Sequence, residues 1–443
     1  MAGRLILPDP DVICVGAGMS GAHAARRLAD AGLRVLVLEG REVAGGRTRV
    51  ETIPGSDFRA EIGGGWVMPD RQPMVRGLAE RFGVGYVEGP AADRWDWVLG
   101  SEHRRGEHPL TSAEGRELLR AMSRLRRESR LLAERREAGD REWIERHDVS
   151  LAAWVDGCGL SAAPRQILLA LIGNAFNSRP DEVSVLNAHL VVADYGGDPW
   201  RGYSGLGFQL ADGTTRLIEG MLDDASIEVR TGADVRRIAD TASGVIIETA
   251  DGAAYSAAAA VVTVPVATYP RISIDVPNPH LELIAQGNPG RAFKAWFRVA
   301  GLEGFPFVVS SEGPIRKLRC EANDGREAIL VAIGNNLAPG ELSDPVRMSE
   351  LLAALIGPCD VRDLLAHDWA YDEFSAGGWY AAPPGAVADL VMARPVAGAV
   401  QFAGSDLAAD WNGWIEGALE SGAAAADRVL EHLGPRIASA ARD

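Results

Sequence analysis

The feature that most constrains the fold of this chain is a glycine-rich turn between two short apolar runs near its beginning. The first run is Val12–Val15, the turn is Gly16–Gly21, and after a helical stretch the second run, Val35–Leu38, ends at Glu39. Short, wholly apolar runs are typical of parallel strands that helices cover on both faces. The pattern predicts a βαβ unit whose helix N-terminus and bare turn receive the pyrophosphate of a dinucleotide.

Each residue type in this unit suits a dinucleotide. Gly16 allows a tight turn, Gly18 lets the backbone approach the pyrophosphate, and Gly21 lets the helix pack closely on the strand. Glu39 can accept hydrogen bonds from both ribose hydroxyls, and its charge would repel the 2′-phosphate of NADP. The motif does not distinguish NAD from FAD, and a glycine-rich turn without a ligand is the alternative. The residues assigned to cofactor binding here are Gly16, Ala17, Gly18, Ser20, Gly21 and Glu39.

Length and composition narrow the class of protein. The chain has 443 residues and is 47% apolar, which is enough for two large domains. Its 45 basic and 61 acidic residues give a net charge of −16, which argues against nucleic acid and anionic membranes as partners. The N-terminus shows no signal-peptide core, and no apolar run approaches the roughly 18 residues of a membrane helix. The four cysteines are scattered, so we expect a cytoplasmic protein without disulfides or a metal site.

Further motifs follow the turn. Directly after Glu39 stand Gly40 and Arg41, and then the double glycine Gly45–Gly46 with Arg47 behind it. Bare backbone lets a bulky cofactor pass, and the guanidinium fork of an arginine can neutralise a pyrophosphate. A surface arginine is the alternative for Arg47, because the chain is rich in arginine.

Two more motifs lie far apart along the chain. Gly63–Gly65 precede Trp66, and near the C-terminus Ala399–Gly404 is predicted to be a strand that leads through Ser405 to a helix opening at Trp414–Leu419. The N-terminus of such a helix offers backbone N–H groups to developing negative charge. A helix that only closes the domain is compatible with this interpretation.

These motifs make the chain resemble the flavin-containing amine oxidases, the monoamine oxidase family. Its members carry E-x-R-x-x-x-G-G-R after the Rossmann acid, a G-G-x-[WY] loop, an internal lysine, and an A-G-[ST] strand that leads to a G-[YW]-x-E-G-A helix. The segments Leu168–Phe176 and Phe402–Asp406 are most similar to 6-hydroxynicotine oxidases. The resemblance spans nearly the whole chain. It implies an α/β fold with a Rossmann-like FAD-binding domain of the GR2 flavoprotein type and a discontinuous α+β substrate-binding domain.

The resemblance also implies which residues hold FAD. The helix start at Ile415 would direct a backbone N–H at the flavin pyrimidine oxygen, and Val235 would meet the adenine through its backbone. Gly378 stands where monoamine oxidases carry a flavin-linking cysteine, so we expect noncovalent FAD. The further cofactor residues are expected to be Gly40, Arg41, Gly46, Arg47, Gly63, Gly64, Gly65, Trp66, Val235, Gly404, Ser405 and Ile415.

The order of elements predicts discontinuous domains. The FAD-binding segments are expected at 1–85, 205–275 and 384–443, with a helical substrate segment at 86–204 and a sheet-rich one at 276–383. Amphipathic helices, with one charged face and one apolar stripe, are predicted over Thr111–Arg146. The arginines of 124–136 are interleaved with glutamates, which indicates a solvated, salt-bridged face rather than a nucleic-acid site.

The chain contains only two lysines, Lys294 and Lys317. Lys294 lies in the strand-like run Arg291–Val299, where a buried lysine destabilises the fold unless it finds partners. In the family, the lysine at this position holds a water molecule against flavin N5. The alternative is a Lys294 that points outward to solvent. We expect Lys317, which stands between two arginines, at the surface.

Aromatic residues complete the candidate site. Trp369–Tyr380 matches the family stretch W-x(5)-S-x-G-[GC]-[YW], which implies that Trp379 lies opposite Trp414 across the flavin face. Two such walls would hold the apolar substituents of an amine and orient its α C–H bond. Asn174 matches a pocket-lining position of 6-hydroxynicotine oxidases, and a packing role is its alternative. The candidate catalytic residues are Lys294, Trp379 and Trp414, and the candidate substrate pocket is Asn174, Trp66, Trp379 and Trp414.

We therefore expect an FAD-dependent amine oxidoreductase acting on a small aromatic or cyclic amine, including secondary, nicotine-like amines. Hydride transfer to flavin N5 would give an imine, followed by imine hydrolysis and H2O2 formation. Its partners would be the amine, O2 or another electron acceptor, and a second copy in a homodimer. The alternatives are a primary monoamine oxidase, an L-amino-acid oxidase with Arg179 or Arg201 in its pocket, and a flavin-binding protein without turnover.

Overall fold

The computed structural model describes residues 10–200, 207–278, 280–392 and 397–440. Residues 1–9, for which no signal peptide was expected, and Arg201 lie outside the described residues. The strands are β1 Val12–Val15, β2 Val35–Leu38, β3 Val50–Thr52, β4 Arg59–Glu61, β5 Trp66–Val67, β6 Tyr86–Val87, β7 Arg94–Leu99, β8 Glu102–Arg105, β9 Phe208–Leu210, β10 Glu228–Arg230, β11 Val235–Thr241, β12 Gly244–Thr249, β13 Ala254–Ala257, β14 Ala259–Val262, β15 Ser273–Asp275, β16 Phe293–Ala300, β17 Pro306–Ser310, β18 Ile315–Asn323, β19 Glu327–Gly334, β20 Asp360–Asp368 and β21 Val400–Phe402. The helices are α1 Met19–Asp30, α2 Pro73–Phe82, α3 Ser112–Glu137, α4 Arg141–His147, α5 Leu151–Asp156, α6 Ala162–Phe176, α7 Val185–Asp194, α8 Thr215–Asp224, α9 Leu281–Ala285, α10 Pro345–Ile356, α11 Val387–Met392 and α12 Ile415–Ala440, with 3₁₀ turns at Val266–Arg271, Glu341–Ser343 and Ser405–Leu407.

A five-stranded parallel sheet in the order β10-β2-β1-β14-β21 forms the Rossmann-like layer. The apolar strands β1, β2 and β14 are buried along their whole length. Helix α1, which connects β1 to β2, packs against α8 and α12. The fold is therefore α/β, and the strands of this layer come from three separated parts of the chain. The exact domain boundaries given above remain a prediction.

A seven-stranded sheet in the order β20-β16-β19-β18-β17-β7-β8 forms the second large layer. Five of its strands lie between residues 276 and 383, but β7 and β8 come from the segment that was expected to be helical. That expectation is wrong for residues 94–105. The residues Arg94–Trp97 alternate between charged and aromatic side chains, which is a pattern typical of a strand. Strand β7 pairs in parallel with β17 and thereby extends the sheet.

The helices α3 to α7 lie in the segment 111–194. Helix α3 begins with a capping box between Thr111 and Glu114, and it packs against α6 and α7. On its polar face Arg124 pairs with Glu128 at 2.7 Å. Within the described residues, no helix combines the length and the apolar character that crossing a membrane requires.

Candidate active site

A large cavity lies between the carboxyl edge of the parallel sheet and one face of the seven-stranded sheet. Its wall includes the ends of β1 and β2 and residues of β16, β18 and β19. The space between the wall atoms, counted out to the mouth, is about 2540 Å³. The cavity thus extends from the glycine turn after β1 to Lys294 on the seven-stranded sheet.

The glycine turn after β1 forms one end of the cavity. Gly16 has a φ of +102°, which L side chains rarely adopt. A Cβ on Gly21 would lie 2.0 Å from the carbonyl oxygen of Gly16, so the first turn of α1 packs directly on the glycine turn. No described side chain caps α1 at Gly18. Its first N–H groups therefore remain available at the cavity wall.

Glu39 closes this end from the tip of β2. Its carboxylate accepts hydrogen bonds from the Ala17 N–H at 2.7 Å and the Arg41 N–H at 2.9 Å. Burial raises the pKa of Glu39, and the two hydrogen bonds oppose that shift. Arg41 in turn pairs with Asp372 and donates to Ser375 Oγ at 3.0 Å. Glu39 therefore fixes the glycine turn and the loop after β2, and it retains lone pairs for a ribose.

Arg47 links the double-glycine loop to two distant loops. Its guanidinium donates to the carbonyl of Gly378 at 2.6 Å, to the carboxylate of Asp406 at 2.8 Å and to Ser405 Oγ at 3.0 Å. The guanidinium has five N–H donors, so two remain for an anion in the cavity. The role of Arg47 towards a pyrophosphate stays a prediction, whereas its role as a connection between loops is visible.

Several wall features fit a bound dinucleotide. A Cβ on Gly46 would lie 3.2 Å from the Cα of Gly18, so two glycine loops meet with bare backbone at the wall. Ser20 Oγ and Trp66 Nε1 are buried without a hydrogen-bond partner among the described residues, and both residues line the cavity. Buried polar atoms are normally satisfied, so these two indicate a ligand that supplies partners. The residues present therefore fit FAD.

Lys294 lies in the cavity wall on β16. It is 5% exposed, which excludes the alternative of a solvent-facing lysine. Its Nζ donates to the carbonyl of Gly63 at 3.0 Å and lies 4.1 Å from the ring centre of Trp66. Burial lowers the pKa of Lys294 to about 8, and the charges of Glu61 and Glu321 oppose the shift. The ammonium is thus held by a carbonyl, an aromatic face and two nearby carboxylates.

Trp379 and Trp414 are half-buried and line the same cavity. A Cβ on Gly413 would lie 3.0 Å from the Cβ of Trp379, so the loops that carry the two tryptophans touch. Trp414 packs edge-on against the buried ring of Tyr195 at 5.9 Å between centres. Ile415, the next residue, is the first of α12 and also lines the cavity. An aromatic wall and a helix N-terminus therefore stand side by side.

Asn174 lines the cavity from α6, but its side-chain NH2 is already used. It donates to the carbonyls of Ser310 at 3.0 Å and Arg316 at 3.2 Å. Its side-chain oxygen makes no hydrogen bond to a described residue and is the atom left for a substrate. Arg179, weighed above for an amino-acid carboxylate, is exposed and pairs with Asp181 at 2.8 Å, so it does not line the cavity.

The expectation that Lys317 lies at the surface is wrong. Lys317 is half-buried and lines the cavity from β18. It stands opposite Ile333 on β19, which in turn stands opposite Lys294 on β16. The register of β18 shifts between Ile315 and Lys317, and such a bulge changes the direction of the side chains around it. Burial and the charge of Arg319 lower the pKa of Lys317 to about 8.

The cavity brings together nearly all of the residues predicted from the motifs. Of that set, Ala17 and Gly21 lie behind the wall, where they support the turn. The predicted residues that line the cavity are Gly16, Gly18, Ser20, Glu39, Gly40, Arg41, Gly46, Arg47, Gly63, Gly64, Gly65, Trp66, Asn174, Val235, Lys294, Trp379, Gly404, Ser405, Trp414 and Ile415. Four further wall residues were not identified from the sequence, because the residues around each of them form no recognisable motif: Asp194, Arg271, Arg316 and Lys317.

Glycine loops that fit a dinucleotide, beside a buried lysine and two tryptophans that line the same cavity, fit the class of a dinucleotide-dependent oxidoreductase. The family model for flavin-containing amine oxidoreductases matches residues 19–430. The chain belongs to this family and binds FAD.

Three known proteins illustrate the similarity. The (S)-6-hydroxynicotine oxidase of Paenarthrobacter nicotinovorans is 28% identical over 95% of this chain and 99% of its own length. The pseudooxynicotine dehydrogenase of a Pseudomonas species is 25% identical over 96% of this chain and 87% of its own. A structure of putrescine oxidase bound to putrescine superposes with a TM-score of 0.81 at 22% identity, covering 96% of this chain and 99% of the other. The protein is an FAD-dependent oxidoreductase that acts on amines.

Proposed function

We propose that this oxidoreductase converts a small amine with an aromatic or cyclic body to its imine, and that secondary, nicotine-like amines are among its substrates. The observation that carries the proposal is the pair Trp379 and Trp414 in the same cavity as Lys294. Flat aromatic walls hold ring-shaped, apolar substituents well. The names of the two nicotine-related relatives support the same substrate class.

FAD, when bound, accepts a hydride from the carbon beside the amine nitrogen and later passes two electrons to an acceptor. The two tryptophans exclude water and orient the reacting C–H bond. The backbone N–H groups at the start of α12, which lines the cavity at Ile415, would stabilise negative charge on the cofactor. An amine that arrives neutral needs no protein base, which suits a cavity without a histidine among its described wall residues.

Lys294 is proposed to hold a water molecule. Its Nζ uses one N–H on the carbonyl of Gly63, and an ammonium has three N–H donors. The other two donors have no hydrogen-bond partner among the described residues, and at the cavity wall beside Trp66 they can hold a water molecule. That water hydrolyses the imine to a carbonyl compound and an amine. With O2 as the acceptor, the two electrons and two protons give H2O2.

The flavin is proposed to be noncovalently bound. No cysteine lies among the described wall residues, and Gly378 lines the wall at the position that corresponds, by the family resemblance, to the flavin-linking cysteine of monoamine oxidases. All four cysteines are free, which supports a reducing compartment such as the cytoplasm. Acid precipitation should release all of the FAD into the supernatant, and yellow colour retained by the polypeptide would contradict a noncovalent site.

The decisive experiment is an anaerobic screen for flavin bleaching. Purified holoenzyme is mixed with primary, secondary and tertiary amines and with L-amino acids, and absorbance near the flavin maximum is followed. Cyclic and aromatic amines should bleach the flavin fastest, and reoxidation by air should produce one H2O2 per amine. Fastest bleaching by simple L-amino acids or by short linear primary amines would overturn the proposed substrate class. Bleaching by none of them would favour a flavin protein without turnover, and failure of air to restore the colour would indicate another acceptor.

A further inference from the structure

The only two lysines of the chain face the same cavity. Lys317 on β18, Ile333 on β19 and Lys294 on β16 form one row across three adjacent strands. Opposed residues of an antiparallel pair lie on the same face of a sheet. Because neighbouring strands are about 4.8 Å apart, the backbones of the two lysines lie roughly 10 Å apart. The row therefore places two amino groups at separate points of one wall.

The two lysines differ in how their charge is balanced. Lys294 has a carbonyl, an aromatic face and the nearby carboxylates of Glu61 and Glu321. The side-chain ammonium of Lys317 makes no hydrogen bond or ion pair with any residue in the described ranges, and the nearby charge that acts on it is the positive one of Arg319. An enclosed ammonium without a counter-charge is unfavourable. The pKa of Lys317 is lowered, as expected for an ammonium that burial and a neighbouring positive charge destabilise.

Arg316 adds a second positive charge at the same place. The bulge between Ile315 and Lys317 brings the side chains of both Arg316 and Lys317 to the cavity wall. Arg316 donates hydrogen bonds to the carbonyl of Ser311 and to Asn335 Oδ1, which are uncharged acceptors, and the charge of Glu312 acts on it from nearby. The guanidinium thus keeps its charge at the wall, and Asn174 holds the bulge by donating to the Arg316 carbonyl.

The negative groups of the wall lie elsewhere. Among the described wall residues the carboxylates are Glu39 after β2, Asp234 before β11 and Asp194 at the end of α7. Glu39 and Asp234 belong to the dinucleotide end, where Asp234 pairs with Arg236. None of the three is on the seven-stranded sheet. The part of the wall that β18 contributes therefore carries positive charge, and among the described residues no carboxylate balances the charge of Lys317.

We propose that Lys317, with Arg316 beside it, binds a negatively charged oxygen of the substrate, so that the preferred amine carries an acidic group several bonds away from the carbon that is oxidised. The proposal rests on the proposed function and narrows its substrate class. A carboxylate and an ionised ring hydroxyl offer the same charge-assisted hydrogen bond to an ammonium or a guanidinium. The separation of the two lysines sets the spacing, because a carboxylate on the reacting carbon itself would lie closer to Lys294.

Matched compounds test this directly. The amines are 4-(aminomethyl)benzoate, 4-hydroxy-3-nitrobenzylamine and the neutral 4-methylbenzylamine, and phenylglycine carries its carboxylate on the reacting carbon. Affinity is measured anaerobically by stopped-flow bleaching of the flavin. It is also measured without turnover, from the change in flavin absorbance when 4-methylbenzoate, which has no amine, is titrated. The variants are Lys317→Met, Lys317→Arg and, as a control for net charge, Arg362→Met, because Arg362 is exposed on β20 and pairs with Asp360.

The wild type should bind at least one of the two acidic benzylamines about tenfold more tightly than 4-methylbenzylamine, and it should bind phenylglycine more weakly than that benzylamine.

K317M should lose this preference for the acidic benzylamine, but its affinity for 4-methylbenzylamine should stay within about twofold of the wild type. K317R should keep most of the preference, and R362M should have the affinities of the wild type. A preference for only one acid identifies the source of the charge. Equal affinity for acids and the methyl compound in the wild type, or a preference that survives in K317M, would overturn the inference. Absence of bleaching by every amine would instead overturn the proposed function, and the titration with 4-methylbenzoate still reports on Lys317.

Discussion

At the dinucleotide end of the cavity the wall is mostly backbone, whereas at the end formed by the seven-stranded sheet it is mostly side chains. The first end contains glycine loops and helix N–H groups. Its acidic side chains are Glu39, which accepts a hydrogen bond from the N–H of Ala17, and Asp234, which pairs with Arg236. The second end carries Lys294, Lys317 and Arg316 from two different strands, with Trp379 and Trp414 from two loops.

The difference teaches where each kind of specificity resides. Backbone groups recognise a cofactor that many proteins share, and they need only a turn of the right shape. Side chains that converge from separate strands recognise the part of the ligand that differs between relatives. We therefore expect changes at the first end to abolish cofactor binding, and changes at the second end to alter rate, acceptor or substrate preference while the flavin stays bound.

The largest effect is expected from Gly21→Ala. A Cβ there would lie 2.0 Å from the backbone oxygen of Gly16, and a backbone atom cannot move away cheaply. The variant should be purified with less than about a tenth of the normal FAD, or should not fold. Gly77→Ala is the matched control, since Gly77 is also helical and has open space where its Cβ would lie. It should keep its flavin and gain up to about 1 kcal/mol in stability. A fully yellow G21A protein would show that the close packing of the turn is dispensable.

Trp414→Ala tests the opposite end. The variant should keep the flavin spectrum, while kcat/KM for the best cyclic amine falls by about a hundredfold, because one aromatic wall is lost. Tyr371→Ala removes an aromatic ring that is 62% exposed, and it should change kcat/KM less than twofold. Flavin loss in W414A comparable to that in G21A would mean that the two ends of the cavity are not separable in this way.

A smaller effect, confined to one half-reaction, is expected from Lys294→Met. Reoxidation of the reduced flavin by oxygen should slow by about tenfold to a hundredfold, with the FAD content unchanged. The pKa of Lys294 is lowered to about 8, so its charge disappears as the pH rises through that value. The wild-type reoxidation rate should fall above pH 8, whereas the K294M rate should be flat. Equal rates and equal pH profiles in stopped-flow measurements would remove the proposed role, and R362M serves as the control.

The smallest effect concerns stability. The pKa of Lys317 is lowered from 10.5 to about 8 in the folded protein, so the unfolded chain binds the proton more tightly between these values. The stability of the wild type should therefore rise with pH through this window. At pH 7 the buried charge of Lys317 destabilises the folded protein in full, so K317M should be about 1–2 kcal/mol more stable than the wild type. This figure is reduced because solvent in the cavity screens the charge. Urea unfolding should show that the stability difference between K317M and the wild type becomes smaller by pH 9.5. A K317M protein that is less stable than the wild type at pH 7 would contradict an unpaired ammonium at Lys317.

Much of the fold and of the cofactor site is predictable because the signals are contiguous. The βαβ unit, the double glycine before Arg47 and the A-G-S strand before α12 each occupy a few consecutive residues, and the parallel sheet has the strands expected from the first apolar runs. The prediction failed for β7 and β8. Strand β7 joins the sheet through β17, about 200 residues away, and β8 pairs with β7. It failed again for Lys317, where an assignment from flanking arginines ignored which face of β18 points into the cavity.

The sequence by itself determined that the chain binds a dinucleotide, because backbone recognition needs only a short local pattern of glycine, apolar residues and one acid. It also determined the family, whose motifs follow in order along the chain. Only the tertiary structure decided which charges meet in the cavity. The row of Lys294, Ile333 and Lys317 depends on the register of three strands and on one bulge. Register depends on long-range pairing and packing, so no local pattern around Lys317 could reveal it.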